Sequence, residues 1–392
     1  MSKAPPRRQR TNFRPLTARQ IESLVARHGT PLLVVDCAAI RHQYHALSAA
    51  LPEVGLFYAL KPLPHPDVVA TLRDLGSGFD VATAGEIALV RAQGVAPGRC
   101  IHTHPIKSDG EIRAALRHGV RRFVADNPDE IRKFEPHRRR AELLLRVSFR
   151  NPAAVVDLSR KFGCEPGAVP HLLELARGLG VKVRGLSFHV GSQVADPAKY
   201  VEAIDACREL IQAARRERLA DLDLLDIGGG FPVPYGERVT PIGAFCRPIR
   251  RELATLPPGM RVIAEPGRFI AGPAGTAVAS VIGRAQREGR WWYYLDDGLY
   301  GSYSGQLFDH ARYPIDAIGV RGPRHPSVLA GPTCDSIDVI REDIPLPGLN
   351  LGDLVVGRTM GAYTAAHATD FNFIPRARIV AVNRRPGRQR AD

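Results

Sequence analysis

Three absences narrow the possibilities first. No apolar run approaches the ~20 residues a membrane span needs, and the opening MSKAPPRRQRTNFRP has no apolar core of the kind a secretory signal carries. The six cysteines, Cys37, Cys100, Cys164, Cys207, Cys246 and Cys334, are scattered and form no CxxC pair. That excludes zinc spacing and argues against a disulfide framework. Together these absences point to the cytosol. Acids are also scarce relative to bases, 40 Asp and Glu against 54 Lys and Arg, for a net charge of +14. Such an excess raises the question of nucleic acid, but it is concentrated at the ends. Residues 1–20 and 376–392 together hold +11 of the +14. Charge runs of this kind read as solvated, partly disordered tails. Neither a nucleic acid nor a membrane is an expected partner, and binding through the tails is the alternative.

What is present is an ordinary globular composition, 44% apolar and 24% charged over 392 residues, enough for a large core and two domains. Eight β-rich runs recur within about 210 residues: LFYAL (56–60), GFDVA (78–82), RCIHTH (99–104), RFVAD (122–126), ELLLRVSF (142–149), VRGLSFHV (183–190), LLDIGG (224–229) and RVIAEPG (261–267). Helix-like segments separate them, and three of these (66–76, 85–94, 109–119) end in glycine, a usual C-terminal stop. Repeated βα units of this length predict a (β/α)8 TIM-type barrel, with a doubly wound open sheet as the alternative. After residue 270 the texture changes to β-runs with little helix between them, which predicts a second, mostly β domain. The expected division is a basic tail and joining strand over 1–36, a barrel over 37–268 and a β domain over 269–392.

In such barrels the active site lies where the strands end. Here the strand ends carry Lys61, Asp80, His104, Asp126, Arg146, His189, Gly228 to Gly230 and Glu265. Lys61 closes an apolar strand. Desolvation at a dry mouth would lower its pKa and leave a nucleophilic amine able to form a Schiff base, although a lysine snorkelling to solvent is the plainer alternative. DIGGGFP (226–232) is not GxGxxG; its three glycines leave backbone N–H groups open to a phosphate, or make a plain turn. In FHVGSQ (188–193), His189 could stack on a planar ring and Ser192 could donate to a phosphate; a satisfied core histidine is the alternative. In AEPGRF (264–269), Glu265 could keep a ring nitrogen protonated or simply pair with Arg268. Cys334 in GPTCDSID (331–338) serves a site or is an inert thiol.

The segments YALK, GFDVATAGE, HVGSQ, DIGGGFP, EPGR, DDGLYGS, GPTCDSID and GAYT run in order from residue 58 to 364. The chain thereby resembles the fold-type III pyridoxal-phosphate decarboxylases, the group of ornithine, diaminopimelate and biosynthetic arginine decarboxylases. The resemblance implies pyridoxal 5'-phosphate as cofactor, bonded to Lys61. It places Asp80, Glu86 and Arg146 beside that lysine and cofactor, His189 on the pyridine face, and Glu265 at the ring nitrogen. Ser192, Gly228, Gly229, Gly230, Gly267, Arg268 and Tyr363 would hold the phosphate end. A glutamate at the ring nitrogen favours decarboxylation over racemisation, because a protonated ring is the stronger electron sink.

On the substrate side the resemblance places Tyr300, Asp309, Cys334, Asp335 and Phe371, with Cys334 the expected proton donor to Cα. Cysteine followed by aspartate, and FDH at 308–310, resemble the ornithine and lysine enzymes. The expected substrate is therefore a basic L-amino acid, ornithine first and lysine second, giving putrescine or cadaverine. Diaminopimelate, another modified amino acid, or a non-catalytic regulatory homologue are the alternatives. The resemblance also implies a homodimer in which Cys334 and Asp335 reach the neighbouring site. Two stretches depart from the family pattern: KPLP follows Lys61 where KxN is usual, and FNF (371–373) stands where FNG is usual. The second is expected to set Phe373 near the substrate.

Overall fold

The computed structural model describes residues 13–149 and 160–384. Most of the two basic tails therefore lies outside the described residues. Strand β1 (Leu32–Asp36) precedes eight strands that close into one parallel barrel: β2 (Val54–Ala59), β3 (Gly78–Val81), β4 (Cys100–His102), β5 (Arg122–Ala125), β6 (Glu142–Val147), β7 (Lys182–Phe188), β8 (Leu224–Asp226) and β9 (Arg261–Ala264). The strands follow chain order, and β9 pairs with β2 to close the ring. The sequence-expected barrel is present, and the open doubly wound alternative is not.

Local sequence explains the units between strands. The helix Asp109–His118 begins on Ser108, whose hydroxyl accepts the Glu111 N–H, and ends at Gly119 in a left-handed conformation (φ 94). The helix Pro66–Asp74 starts with proline, where a missing N–H costs nothing. Along each strand, alternate side chains face the helices or the barrel interior. Leu143 and Leu145 join the large core under the helices, whereas Leu144 packs inside the barrel with Ile101, Val124, Leu224 and Ile263. Each such fully buried aliphatic group contributes roughly 1.5–3 kcal/mol.

The second sheet runs β12 (Ile315–Ile318), β15 (Leu354–Arg358), β10 (Gly275–Arg287), β11 (Arg290–Leu295), β13 (Arg324–Ala330) and β14 (Val339–Pro347). β1 joins it by pairing antiparallel with β10, and β16 (Arg378–Val382) pairs parallel with β1. Of these, β12 and β14 are not evident in the sequence. Among the described residues no helix is long and apolar enough to cross a membrane, and no group of His, Cys, Asp and Glu could hold a metal ion.

Candidate active site

The alternation that fills the barrel also arms its mouth. Arg146 lies two residues beyond Leu144, Asp226 two beyond Leu224, and Glu265 two beyond Ile263. Each polar group therefore stands one layer above an interior aliphatic residue, on the same inward face. Asp80 occupies the inward position of β3 between Phe79 and Val81, both of which face the helices.

Lys61 sits just past the end of β2, with Nζ 3.6 Å from Asp80 Oδ2. Asp80 also accepts a hydrogen bond from Thr103 Oγ1. The loop after Lys61 is a tight turn in which the Leu63 N–H donates to the Leu60 carbonyl at 3.0 Å. A Cβ at Gly267 would lie 2.7 Å from Pro62 Cγ, so the KPLP turn fits only against glycine. The amine does not behave as the sequence predicts. Burial alone would lower its pKa, but Asp80, with Tyr363 and Glu265, outweighs that and holds it above the ordinary lysine value. Lys61, its side chain 46% exposed, is an ammonium beside an acidic nest.

That nest contains strongly perturbed acids. Burial and the carboxylates of Asp226 and Asp80 push Glu265 well above the usual range. Asp226 is fully buried, its Oδ1 accepts the Gly228 N–H at 2.9 Å, and burial pushes it up to about 6. Glu86 accepts the Ala82 N–H, and burial, with Asp80 adding, raises it to about 7. Burial lowers Arg146 against the pull of Glu265 and its neighbours. His189 accepts the Gly191 N–H on Nδ1 at 3.1 Å, and burial beside Arg146 and Lys61 depresses it strongly, so its ring is neutral.

At the other side of the mouth lies the glycine run. A Cβ at Gly228, Gly229 or Gly230 would collide with the backbone carbonyl of Phe188, Glu265 or Gly191 respectively. Gly228 and Gly230 also have φ of 66° and 106°, which disfavours any other residue. Arg268 is buried nearby and donates from Nε and Nη2 to Ser192 Oγ at 3.2 and 3.0 Å and from Nη1 to the Tyr235 hydroxyl at 2.9 Å. Its guanidinium carbon stands 4.9 Å from the Tyr363 ring centroid. Tyr363 comes from the second sheet's side of the chain and donates its N–H to the Pro62 carbonyl at 3.0 Å, which ties that side to the Lys61 turn. The expected substrate acid Asp309 is here too, ion-paired with Arg268 rather than beside Asp335.

Tyr300, Cys334, Asp335 and Phe371 form a second cluster. The Tyr300 hydroxyl donates to Asp335 Oδ2, and the Tyr300 ring lies 4.4 Å from that of Phe371 with planes 20° apart. Cys334 Sγ donates to Asn372 Oδ1 at 3.5 Å. Tyr300 and the Ile337 N–H hold Asp335 below the usual carboxylate range, while Tyr300 itself is pushed up to about 12. Among the described residues no hydrogen bond or ion pair joins this cluster to Lys61. Cys334, Phe308, Ile337 and Phe371 are exposed, and Phe373 is 96% exposed.

Four residues of these clusters are not evident in the sequence: Asp226, Thr103, Tyr235 and Asp338. Asp226 is findable by the two-residue step from Leu224. Asp338 closes the GPTCDSID loop by accepting from the Leu299 N–H and from the Thr333 N–H and hydroxyl, at 2.7, 3.1 and 2.7 Å. Tyr235 and Thr103 have no sequence signal.

The mouth fits a phosphorylated pyridine aldehyde on its own chemistry. Among the described residues Arg146 Nη2 is buried without a hydrogen-bond partner, a costly state that a polar ligand relieves. The glycine cradle admits backbone contact and no side chain, and Arg268 and Ser192 offer anion-binding donors beside it. An amine faces it, as an aldehyde requires.

Comparison with known proteins agrees. The profile of the "Pyridoxal-dependent decarboxylase, pyridoxal binding domain" matches residues 37–272. The chain is 40% identical to the lysine/ornithine decarboxylase of Selenomonas ruminantium over 362 residues, covering 92% of this chain and 91% of the relative. It superposes on the lysine/ornithine decarboxylase of Vibrio vulnificus complexed with putrescine with a TM-score of 0.91 and 54% identity, covering 95% of this chain and all of that one. A structure described as SrLDC in complex with PLP and cadaverine matches with a TM-score of 0.89 and 38% identity over 96% of each chain. The barrel, the amine at its mouth and these matches together place the chain in the family of pyridoxal-dependent decarboxylases, with pyridoxal 5'-phosphate as its cofactor.

Proposed function

We propose that the protein decarboxylates a basic L-amino acid, ornithine or lysine, to the corresponding diamine. The observation that carries this reading is the barrel mouth, where Lys61 faces Asp80 and the buried acid Glu265, itself beside Asp226, lies within reach of its charge. The similar proteins named lysine/ornithine decarboxylases support the same class.

Pyridoxal 5'-phosphate, when bound, supplies an aldehyde for the substrate amine and a ring that accepts the electron pair left as carbon dioxide departs. Lys61 would stand at the aldehyde, His189 against the ring face and Glu265 at the ring nitrogen. Gly228 to Gly230, Ser192, Arg268 and Tyr363 would hold the phosphate. The ammonium of Lys61 gives up its proton to become nucleophilic, and Asp80 and Glu86 are the nearby acceptors. Glu265 holds a proton by burial, and that proton is available at the ring-nitrogen position.

Asp335, kept ionised by the Tyr300 hydroxyl, would receive the distal ammonium of the substrate, and Cys334 Sγ would deliver the proton that replaces the lost carboxylate. In one chain these groups are not joined to Lys61, and exposed Phe308, Ile337, Phe371 and Phe373 accompany them. A homodimer that buries this face and brings Cys334 and Asp335 to the neighbouring mouth answers both facts. The division into a barrel over 37–268 and a β domain over 269–392 belongs to the same reading. The six free thiols, five of them buried, support a reducing compartment such as the cytosol.

Release of carbon dioxide from ornithine, lysine, arginine and diaminopimelate, measured side by side, tests the proposal. Ornithine or lysine should lead, and Lys61→Ala should lose about 10³–10⁴-fold in rate. Turnover of diaminopimelate without turnover of ornithine or lysine overturns the substrate class.

A further inference from the structure

The guanidinium of Arg268 is 6% exposed and every donor edge is engaged within the chain. Ser192 takes Nε and Nη2, Tyr235 takes Nη1, and Tyr363 lies against the plane. Its counter-ion is Asp309, itself 10% exposed. Asp309 ends the helix Gly305–Asp309, which His310 stops in a left-handed conformation (φ 51). A buried guanidinium without an anion is costly, so Arg268 needs an acid beside it whenever it holds no phosphate. Asp309 supplies it. A phosphate would seek the same N–H donors, and a carboxylate and a phosphate are alternative partners for one guanidinium. Once displaced, Asp309 would be a largely buried carboxylate without its cation, and the distal ammonium of a basic substrate is the cation at hand.

Resting on the phosphate assignment above, we propose that Asp309 is a built-in competitor for the cofactor phosphate. It holds Arg268 while the seat is empty, yields it when phosphate binds, and only then is free for a cationic substrate side chain. Two ligands of opposite charge would thereby favour each other's binding, and by linkage the effect is reciprocal.

The test uses the full-length protein stripped of cofactor, with dissociation constants measured calorimetrically for inorganic phosphate, pyridoxal 5'-phosphate and phosphate-free pyridoxal. Asp309→Asn should bind the two phosphate ligands about tenfold more tightly, as expected if roughly nine-tenths of wild-type molecules are latched. Pyridoxal should bind the two proteins equally, and Asp309→Glu should restore wild-type values. In wild type, saturating phosphate should tighten putrescine binding, and in Asp309→Asn it should not. Equal or weaker phosphate binding by Asp309→Asn, with Arg268→Ala still losing phosphate, overturns the competitor and leaves the phosphate seat in place. Undiminished phosphate binding by Arg268→Ala overturns both. Absence of phosphate–putrescine coupling in wild type overturns the competitor without any variant.

Discussion

The barrel mouth and the Cys334 face solve opposite problems. At the mouth, charges are matched within the chain: half-exposed Lys61 against buried Asp80, buried Arg268 against Asp309, and Glu265 kept protonated by burial beside Asp226 and Asp80. On the Cys334 face the thiol and the aromatic rings lie open, with Phe373 almost wholly in solvent. The mouth settles its charges within the chain, whereas the face leaves its apolar side chains to solvent. Burial alone is therefore a poor guide to the proposed site, because its candidate residues occur at both extremes.

Experiments can break this contrast at several depths. Glu265→Gln keeps the shape of the mouth but removes the acid. It should cost about 10²–10³-fold in kcat, the usual loss for one electrostatic partner of a transition state. A rate within a few-fold of wild type would mean that the buried acids at the mouth do not carry the chemistry. Phe373→Ser acts on the face. Sedimentation equilibrium should show the dimer dissociation constant raised about tenfold, as for an interfacial aromatic anchor. An unchanged constant would detach Phe373 from any interface. Mixing inactive Lys61→Ala with inactive Cys334→Ala subunits should recover roughly a quarter of wild-type activity, since random pairing into twofold dimers rebuilds one intact site in half of them. No recovery would place Cys334 in the mouth of its own chain.

The smallest effect lies in the barrel wall. His102 is fully buried, stacks on Phe123 at 5.7 Å and, among the described residues, leaves both ring nitrogens without a partner. Burial, with Lys107 and His104, pushes its pKa down to about 3. The unfolded chain takes up that proton first, so the protein loses stability as pH falls from about 6.5 toward 3. The loss should reach about 1.4 kcal/mol near pH 5.5. Denaturant titration of His102→Phe should show that acid sensitivity reduced, and an unaltered pH profile would remove His102 from the account.

The barrel was legible because its strands repeat one short grammar, an apolar run with a polar residue at its end, and three of the segments between them close on glycine. The β domain was less so. β14 carries Arg341, Glu342 and Asp343 together with Pro345 and Pro347, and β12 is four residues of which none is buried, so neither shows a clean alternation. Within the site, residue types were readable from the motifs but charge states were not. The protonation of Lys61 depends on how Asp80, Tyr363 and Glu265 from three separate segments outweigh its desolvation. The seat of Asp309 on Arg268 depends on where two distant helices meet. No spacing along the chain encodes either sum.

The hydrogen bond from the Tyr363 backbone to Pro62 has one more implication, for anyone seeking a minimal catalyst. A fragment cut after residue 272 would retain the whole strand ring and its glycine cradle, yet forfeit the peptide clasp beside the reactive amine and the aromatic roof over the arginine. Shrinking this enzyme to its barrel would strip out the part that fixes where the lysine points.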